Sequence, residues 1–217
     1  MVSHEYKCIF IHIPKTGGTS IEKALGHFDN LERGVQDHRM LNELEPLDRI
    51  TEVKYYVNRY LLGKHVNYRP ELNRKEYKKY YKFTFVRNPW ARVYSWYRNT
   101  ISDKSHSQRL GIPVDCDFDY FVENFLDQWM LQPQLSWIMD RRGRLTIDFV
   151  GRFESLQYDF LQLLDVLDVS DVELPHLLNR GNVDFTAVYS DGSRKAVAKK
   201  YSEEIEFFNY KFELLTK

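Results

Sequence analysis

A lysine, two glycines and three hydroxyls are crowded into Lys15, Thr16, Gly17, Gly18, Thr19 and Ser20, just after a run of β-branched and apolar residues that Pro14 closes. Glycines in a strand-to-helix turn let backbone N–H groups approach an anion, and a following helix adds the positive end of its dipole. The second stretch with chemistry is "FVRNPWARVYSWY". Arg87 leaves the end of an apolar run there, and Ser95 follows eight positions later, a little over two helical turns. A guanidinium and a hydroxyl so spaced can converge on one phosphate from a single rigid unit. Taken singly, the first stretch reads as a tight turn with a solvent-facing lysine and Arg87 as a cap on a sheet. Taken together they describe two anion sites for one ligand. The lysine precedes the glycines, whereas the phosphate loop of ATPases and kinases, G-x-x-x-x-G-K-[ST], has it after them, so the order disfavours those classes.

The elements that must position these groups alternate. "KCIFIHI", Lys7 to Ile13, reads as a buried strand and "TSIEKAL" as a helix ending at Gly26. From about His38 to Tyr81 the pattern is helical, broken by Pro46 and by "GKHVNYRP". "KFTFV", Lys82 to Val86, is the second clear strand, and Asn88 with Pro89 places a cap and a first-turn proline before a helix through Tyr97. Later come a helix after Asp117, a hairpin around "MDRRGRL", and a strand "DFVGRF" that feeds the helix "ESLQYDFLQLLDVL". In that helix Leu156, Phe160, Leu163, Leu164 and Leu167 share one face. Two more helical stretches follow Asp191. The alternation predicts an α/β fold, one domain over residues 1–217 with a central, mainly parallel sheet flanked by helices, and ligands at the carboxyl ends of the strands.

The 217 residues, 43% hydrophobic, are enough for one well-filled core. Lysine plus arginine and aspartate plus glutamate number 31 each, so no global field draws the chain to nucleic acid or to an acidic membrane, and any anion site is local. The polar start and the brief apolar run after it give neither a signal peptide nor a spanning helix, and Cys8 and Cys116 show no metal or redox spacing. A soluble, cytoplasmic protein is the expectation.

At the two anion stretches the chain resembles the sulfotransferases that use 3′-phosphoadenosine-5′-phosphosulfate (PAPS). "HIPKTGGTS" is similar to their 5′-phosphosulfate loop and "FVRNPWARVYS" to their 3′-phosphate segment. "DFVGRFESLQYDF" and "LPHLLNR" also resemble elements of the carbohydrate-type branch, which holds heparan sulfate 2-O-sulfotransferase and small bacterial relatives. The resemblance implies a P-loop-like sulfotransferase fold, PAPS as donor and 3′,5′-ADP (PAP) as product. It assigns Lys15, Thr16, Gly17, Gly18, Thr19 and Ser20 to the 5′-phosphosulfate, Arg87 and Ser95 to the 3′-phosphate, and Arg180 to a segment closing over the nucleotide. Phe153 and Trp90 are adenine-pocket candidates, although core packing is the more common use of such aromatics. By analogy with phosphoryl transfer, the protein positions reactants and stabilises spreading charge, with Lys15 at the leaving oxygen and no metal required. The seven histidines show no paired ligand spacing.

The acceptor hydroxyl needs a general base with a pKa near neutrality, most simply a histidine. His38 opens a helix after a strand end, as the histidine of the family's "GHVS"-type motif does, and is favoured. His65, in "GKHVNYRP", matches the motif in letters but follows an inserted stretch. His12 and His176 read as packed or ambiguous, and Asp37 points away from its neighbour on an extended segment. The basic runs "NRKEYKKYYK" and Arg141, Arg142 and Arg144 would suit an acidic glycan, but a solvated helix face and a turn explain them as well. Trp129 and Trp137 offer sugar-stacking surfaces or core. The leading reading is transfer from PAPS to a hydroxyl of a carbohydrate acceptor. A Mg²⁺-dependent nucleoside or nucleotide kinase and a catalytically silent nucleotide binder are the rivals.

Overall fold

Every side chain of the apolar run Cys8–Ile11 (β2) is buried, which fits a strand covered on both faces by helices. The computed structural model describes residues 1–27, 36–48, 50–54, 57, 71–175 and 184–213. Among these, β2 lies between a short antiparallel partner, Val2–Ser3 (β1), and the parallel strand Tyr81–Val86 (β3). Phe149–Arg152 (β4) pairs in parallel with the far side of β3, giving a four-stranded mixed sheet in the order β1-β2-β3-β4. The register sets Phe10 opposite Phe83 and Thr84 opposite Val150.

Alternation along β2 divides the core. Ile9 and Ile11 face one side, where Ile13, Leu41, Leu44, Trp137 and Ile138 pack on them. Cys8 and Phe10 face the other, against Ile21, Phe83, Phe85, Phe160, Leu163 and Leu164. The helices on these faces are Gly18–Ala24 (α1), Leu41–Leu44 (α2) and, further along, Arg74–Lys79 (α3) and Pro89–Ile101 (α4). They continue with Lys104–Arg109 (α5), Phe118–Phe125 (α6), Gln134–Trp137 (α7), Leu156–Leu167 (α8), Asp191–Lys200 (α9) and Ser202–Phe207 (α10). A third apolar cluster joins α4, α6 and α9 through Trp90, Val93, Trp96, Phe121, Val197 and Tyr201.

The fold is α/β, as the alternation predicts, with one antiparallel edge that the polar N-terminus gives no reason to expect. Strand β2 stops at Ile11 rather than Ile13, because the Ile13 N–H turns back to the Ile11 carbonyl (3.1 Å). The helix after Asn88 runs four residues beyond Tyr97, there being no breaker before Ser102; its cap forms as expected, the Asn88 side chain accepting from the N–H groups of Trp90 and Ala91. The hairpin at "MDRRGRL" appears as a bridge between Met139 and Leu145, its turn held by Asp140 Oδ1, which accepts from Arg142 N and Arg144 N. The helical stretches Lys104–Arg109, Trp129–Leu131 and Gln134–Trp137 are too short to show a period in the sequence.

Candidate active site

Both anion stretches emerge at the carboxyl ends of neighbouring parallel strands, so one surface receives them. After β2 the chain makes two left-handed steps, at Lys15 (φ 71°) and Gly17 (φ 87°). Glycine adopts that region freely, but a lysine there is strained, a cost of roughly 1–2 kcal/mol that surrounding structure must offset. Thr16 between them is fully buried and donates its hydroxyl to Ile13 O (2.8 Å), which fixes the turn. The N–H groups of Gly17, Gly18 and Thr19 donate to nothing among the described residues, as expected for a helix start. Gly18 is sterically required, and Gly17 is favoured by its left-handed backbone. A Cβ on Gly18 would lie 2.0 Å from the His12 ring, and one on Gly17 would lie 2.9 Å from Leu156 and 3.2 Å from Phe153.

Arg87 meets this turn directly. Its Nη1 donates to Lys15 O (3.2 Å) and its guanidinium lies 3.9 Å from the centre of the Phe153 ring. Nε is buried with no partner among the described residues. Burial pulls the pKa down to about 10 while nearby Glu154 opposes the shift, so the group remains a cation at neutral pH. Lys15 Nζ reaches across to Asn99 Oδ1 on α4 (3.2 Å). On the same helix Arg92 donates through Nε to Pro14 O (3.0 Å). Arg92, Ser95 and Asn99 stand three and four positions apart, so the partly buried Ser95 shares the face that its neighbours press against the turn.

The braces behind these groups are not legible in the sequence as site residues. Besides Pro14 O, Arg92 donates to Gln132 O (2.9 Å) and Met130 O (2.7 Å). The Gln134 side chain pairs with the Arg87 backbone in both directions, 2.8 Å each, and Gln134 Nε2 also donates to buried Glu204 (2.9 Å). Glu154 accepts from Asn88 N (2.7 Å). Asn99 and Arg92 could have been found from their helical spacing to Ser95. Gln134 and Glu204 carry no local signal, because their partners lie 47 and 70 positions away in the chain.

His38 stands on the other flank of the turn. Its Nδ1 is 2.9 Å from His12 O, which can only accept, so Nδ1 carries a proton and Nε2 holds the lone pair of the neutral ring. Burial, and then the neighbouring His12, bring its pKa down to about 4, below the near-neutral value expected of the base, so the neutral form prevails at pH 7. Nε2 lies 3.0 Å from the Gln36 side-chain amide, whose other end is 2.5 Å from Thr19 Oγ1. A neutral ring requires that amide to turn its NH₂ toward Nε2. Asp37 does not orient His38. Its carboxylate accepts from Arg39 (2.8 Å) and is 2.9 Å from the Met1 ammonium. His12 is packed, as expected: it is buried, its ring centre lies 4.2 Å from that of His38, and burial brings its pKa down to about 3. Its Nδ1 is 3.1 Å from Glu22 Oε1 but out of line for a hydrogen bond.

Lys15, Thr16, Gly17, Gly18, Thr19, Ser20, Arg87, Ser95 and His38 are thus gathered around one turn. His65, Arg180 and His176 lie outside the described residues. Trp90 is core, its Nε1 donating to Arg194 O (3.1 Å), whereas Phe153 lies between Arg87 and Gly17. The run beginning at Asn73 belongs elsewhere: with Lys7 and Tyr80 its residues line a concavity at the amino ends of the same strands. Arg144 is spent on Asp140 within its own turn (2.7 Å). Among the described residues no group of histidine, cysteine or carboxylate side chains could hold a metal ion, and no helix is long and apolar enough to cross a membrane.

The α/β sheet thus carries a lysine–glycine turn and a facing arginine together at its carboxyl end. The model of the Sulfotransferase family matches residues 1–211, and the chain belongs to that family. It is similar to carbohydrate sulfotransferase 14 of Homo sapiens, 24% identical over 190 residues, and of Mus musculus, 22% over 185. Each match covers 76% of this chain and 45% of the relative, so the chain spans about half the length of these relatives. No solved structure matches it significantly.

Proposed function

We propose that this chain transfers a sulfuryl group from PAPS to a hydroxyl of a carbohydrate acceptor. The observation that carries the reading is the contact between the two anion stretches. Arg87 touches the backbone of Lys15 while its buried Nε has no partner among the described residues, so two cationic side chains lie around one turn whose Gly17, Gly18 and Thr19 N–H groups donate to nothing among the described residues. A nucleotide charged at both ends fits this arrangement. Lys15 and the N–H groups of Gly17, Gly18 and Thr19 would hold its 5′ end, and Arg87 with Ser95 the 3′-phosphate, beside the Phe153 ring. The donor supplies a sulfuryl group on a good leaving group. The chain supplies charge neutralisation at that group through Lys15, and rigid placement through Arg92 and Gln134.

His38 is the base in this reading. The bond from its Nδ1–H to the His12 carbonyl aims the Nε2 lone pair outward, and Gln36 holds the place that an acceptor hydroxyl would take. A carbohydrate acceptor is inferred from the names of the two relatives. Calorimetry with 3′,5′-ADP and ADP tests the donor: the chain should prefer 3′,5′-ADP, and Arg87→Ala should erase that preference and leave ADP unaffected. Preference for plain ADP would favour a kinase-type reading. Equal losses for both nucleotides would remove Arg87 from the 3′-phosphate. For the base, His38→Ala should lower turnover at least about a hundredfold at unchanged 3′,5′-ADP affinity.

A further inference from the structure

Trp129 leaves 49% of its surface exposed, yet it is mounted on one of the most firmly held stretches of backbone near the site. It opens the short 3₁₀ helix Trp129–Leu131. The carbonyls of the three residues after it are all bound by buried side chains: Met130 O and Gln132 O by Arg92, and Leu131 O by the Tyr201 hydroxyl (2.7 Å). The residue before it, Gln128, accepts through its side chain from Trp96 Nε1 (2.7 Å). Arg92 also binds Pro14 O, so the guanidinium that fixes this stretch fixes the lysine–glycine turn as well. An exposed aromatic on a flexible loop needs no explanation, whereas a large apolar ring held in water by a pinned backbone is preorganised for a ligand.

Its neighbours connect it to the candidate base. The Trp129 ring packs edge-on against fully buried Trp137, centres 4.8 Å apart, and Trp137 packs edge-on against His38, centres 6.5 Å apart. The exposed indole is therefore one buried ring away from the candidate base. Tyr158 and Phe207 are more exposed, but no ring contact among the described residues connects either to His38. From this we infer that Trp129 is an acceptor-binding residue, the platform on which a pyranose ring stacks next to the sugar whose hydroxyl meets His38. The face of a pyranose that carries axial C–H bonds is apolar and matches an indole in size, and such stacking selects sugars by which face is free of hydroxyls.

The inference rests on the carbohydrate reading of the acceptor, and its test separates the two. Three hexasaccharides serve as probes, titrated by calorimetry without donor: chitohexaose, cellohexaose and an unsulfated chain of alternating hexuronate and N-acetylhexosamine. At least one should bind the wild-type chain; Trp129→Ala should weaken it about tenfold and Trp129→Tyr should restore most of the affinity. Both variants should bind 3′,5′-ADP as the wild type does. The platform is overturned if no probe binds, if Trp129→Ala binds as tightly, or if its affinity for 3′,5′-ADP falls in parallel, since that would mark a structural prop. Should labelled sulfate pass from PAPS to a probe with the same KM in Trp129→Ala, the platform fails and the reaction stands. Should binding depend on Trp129 without any transfer of sulfate, the platform stands and the reaction fails.

Discussion

The two ends of the parallel strands are both cationic and they differ in how the cations are held. At the carboxyl ends, Lys15 and Arg87 rest on buried polar braces: Arg92 takes three carbonyls, Gln134 pairs with the Arg87 backbone, and Glu204 holds Gln134. At the amino ends, Lys75 and Lys79 stand around a concavity whose helix, α3, buries no side chain. The second set has more lysines close together in sequence, and it is the first that looks built. Positive charge is common on protein surfaces and cheap to solvate, whereas a buried guanidinium bound to three carbonyls requires the surrounding fold to be organised for it. Bracing, rather than the density of charge, separates a site from a solvated face.

The largest effect should come from Lys15→Gly. Glycine accepts the left-handed backbone that strains lysine, so the variant should be as stable as the wild type or slightly more, by up to about 1 kcal/mol. Turnover should fall by a factor on the order of 10²–10³, the usual consequence of removing a charge-stabilising group. Thermal unfolding and labelled-sulfate transfer, measured together, check both halves. A Lys15→Gly variant that is clearly less stable would mean that the side chain props the turn instead of serving the ligand. The matching variant at the other end, Lys79→Ala, should change neither quantity.

Next in size is the brace itself. Gln134→Ala leaves the N–H and C=O of Arg87 and one Glu204 oxygen without their partner, in a region closed to water, at a cost of roughly 2–4 kcal/mol. Chemical denaturation should show this as a shifted midpoint at constant slope. An unchanged midpoint would mean that water replaces the amide and that the two ends differ less than their hydrogen bonds suggest.

The third effect concerns acidity. His38 is neutral above about pH 4 in the folded chain, against an ordinary value of 6.5, because burial and His12 disfavour its charge. A base works when unprotonated, so the acid limb of kcat/KM should fall near pH 4 and activity should be flat from there through pH 7. A limb near 6.5 would assign the proton to an exposed histidine. Stability should follow the same sign: both His12 and His38 have depressed values, so the unfolded chain binds more protons below pH 6.5, and stability present above that pH is lost as pH falls toward the folded values.

What the sequence discloses, and what it hides, divides along the same line. The strands Cys8–Ile11 and Tyr81–Val86, the Asn88 cap and the amphipathic face of α8 are written in local patterns, and so are the two anion stretches, whose residue types sit on consecutive positions. The mixed edge of the sheet is hidden because Val2–Ser3 is too short to show a period. Gln134 and Glu204 are hidden because an amide and a carboxylate look alike on a surface and in a core; only the pairing of residues 70 positions apart makes them structural. The Trp129 and Trp137 pair reads in the sequence as either sugar surface or core, and the structure divides it: one ring is fully buried and the other is half exposed.

The smallest effect tests whether the amino ends are as passive as this contrast requires. Asn73 caps α3, accepting from Lys75 N (2.9 Å) and Glu76 N (3.0 Å), while Glu76 reciprocates at Asn73 N (2.8 Å). Asn73→Ala removes half of that capping box and should cost about 1 kcal/mol of stability. Because β3 runs from this helix to Arg87, frayed ends could in principle be felt at the other end of the strand. They should not be: β3 is buried over five of its six residues and paired on both sides, so a loosened α3 can give way without moving it. Affinity for 3′,5′-ADP should therefore match the wild type within error. A parallel loss of affinity would show the two ends to be coupled through the strand, and the solvated lysines would then need a role of their own.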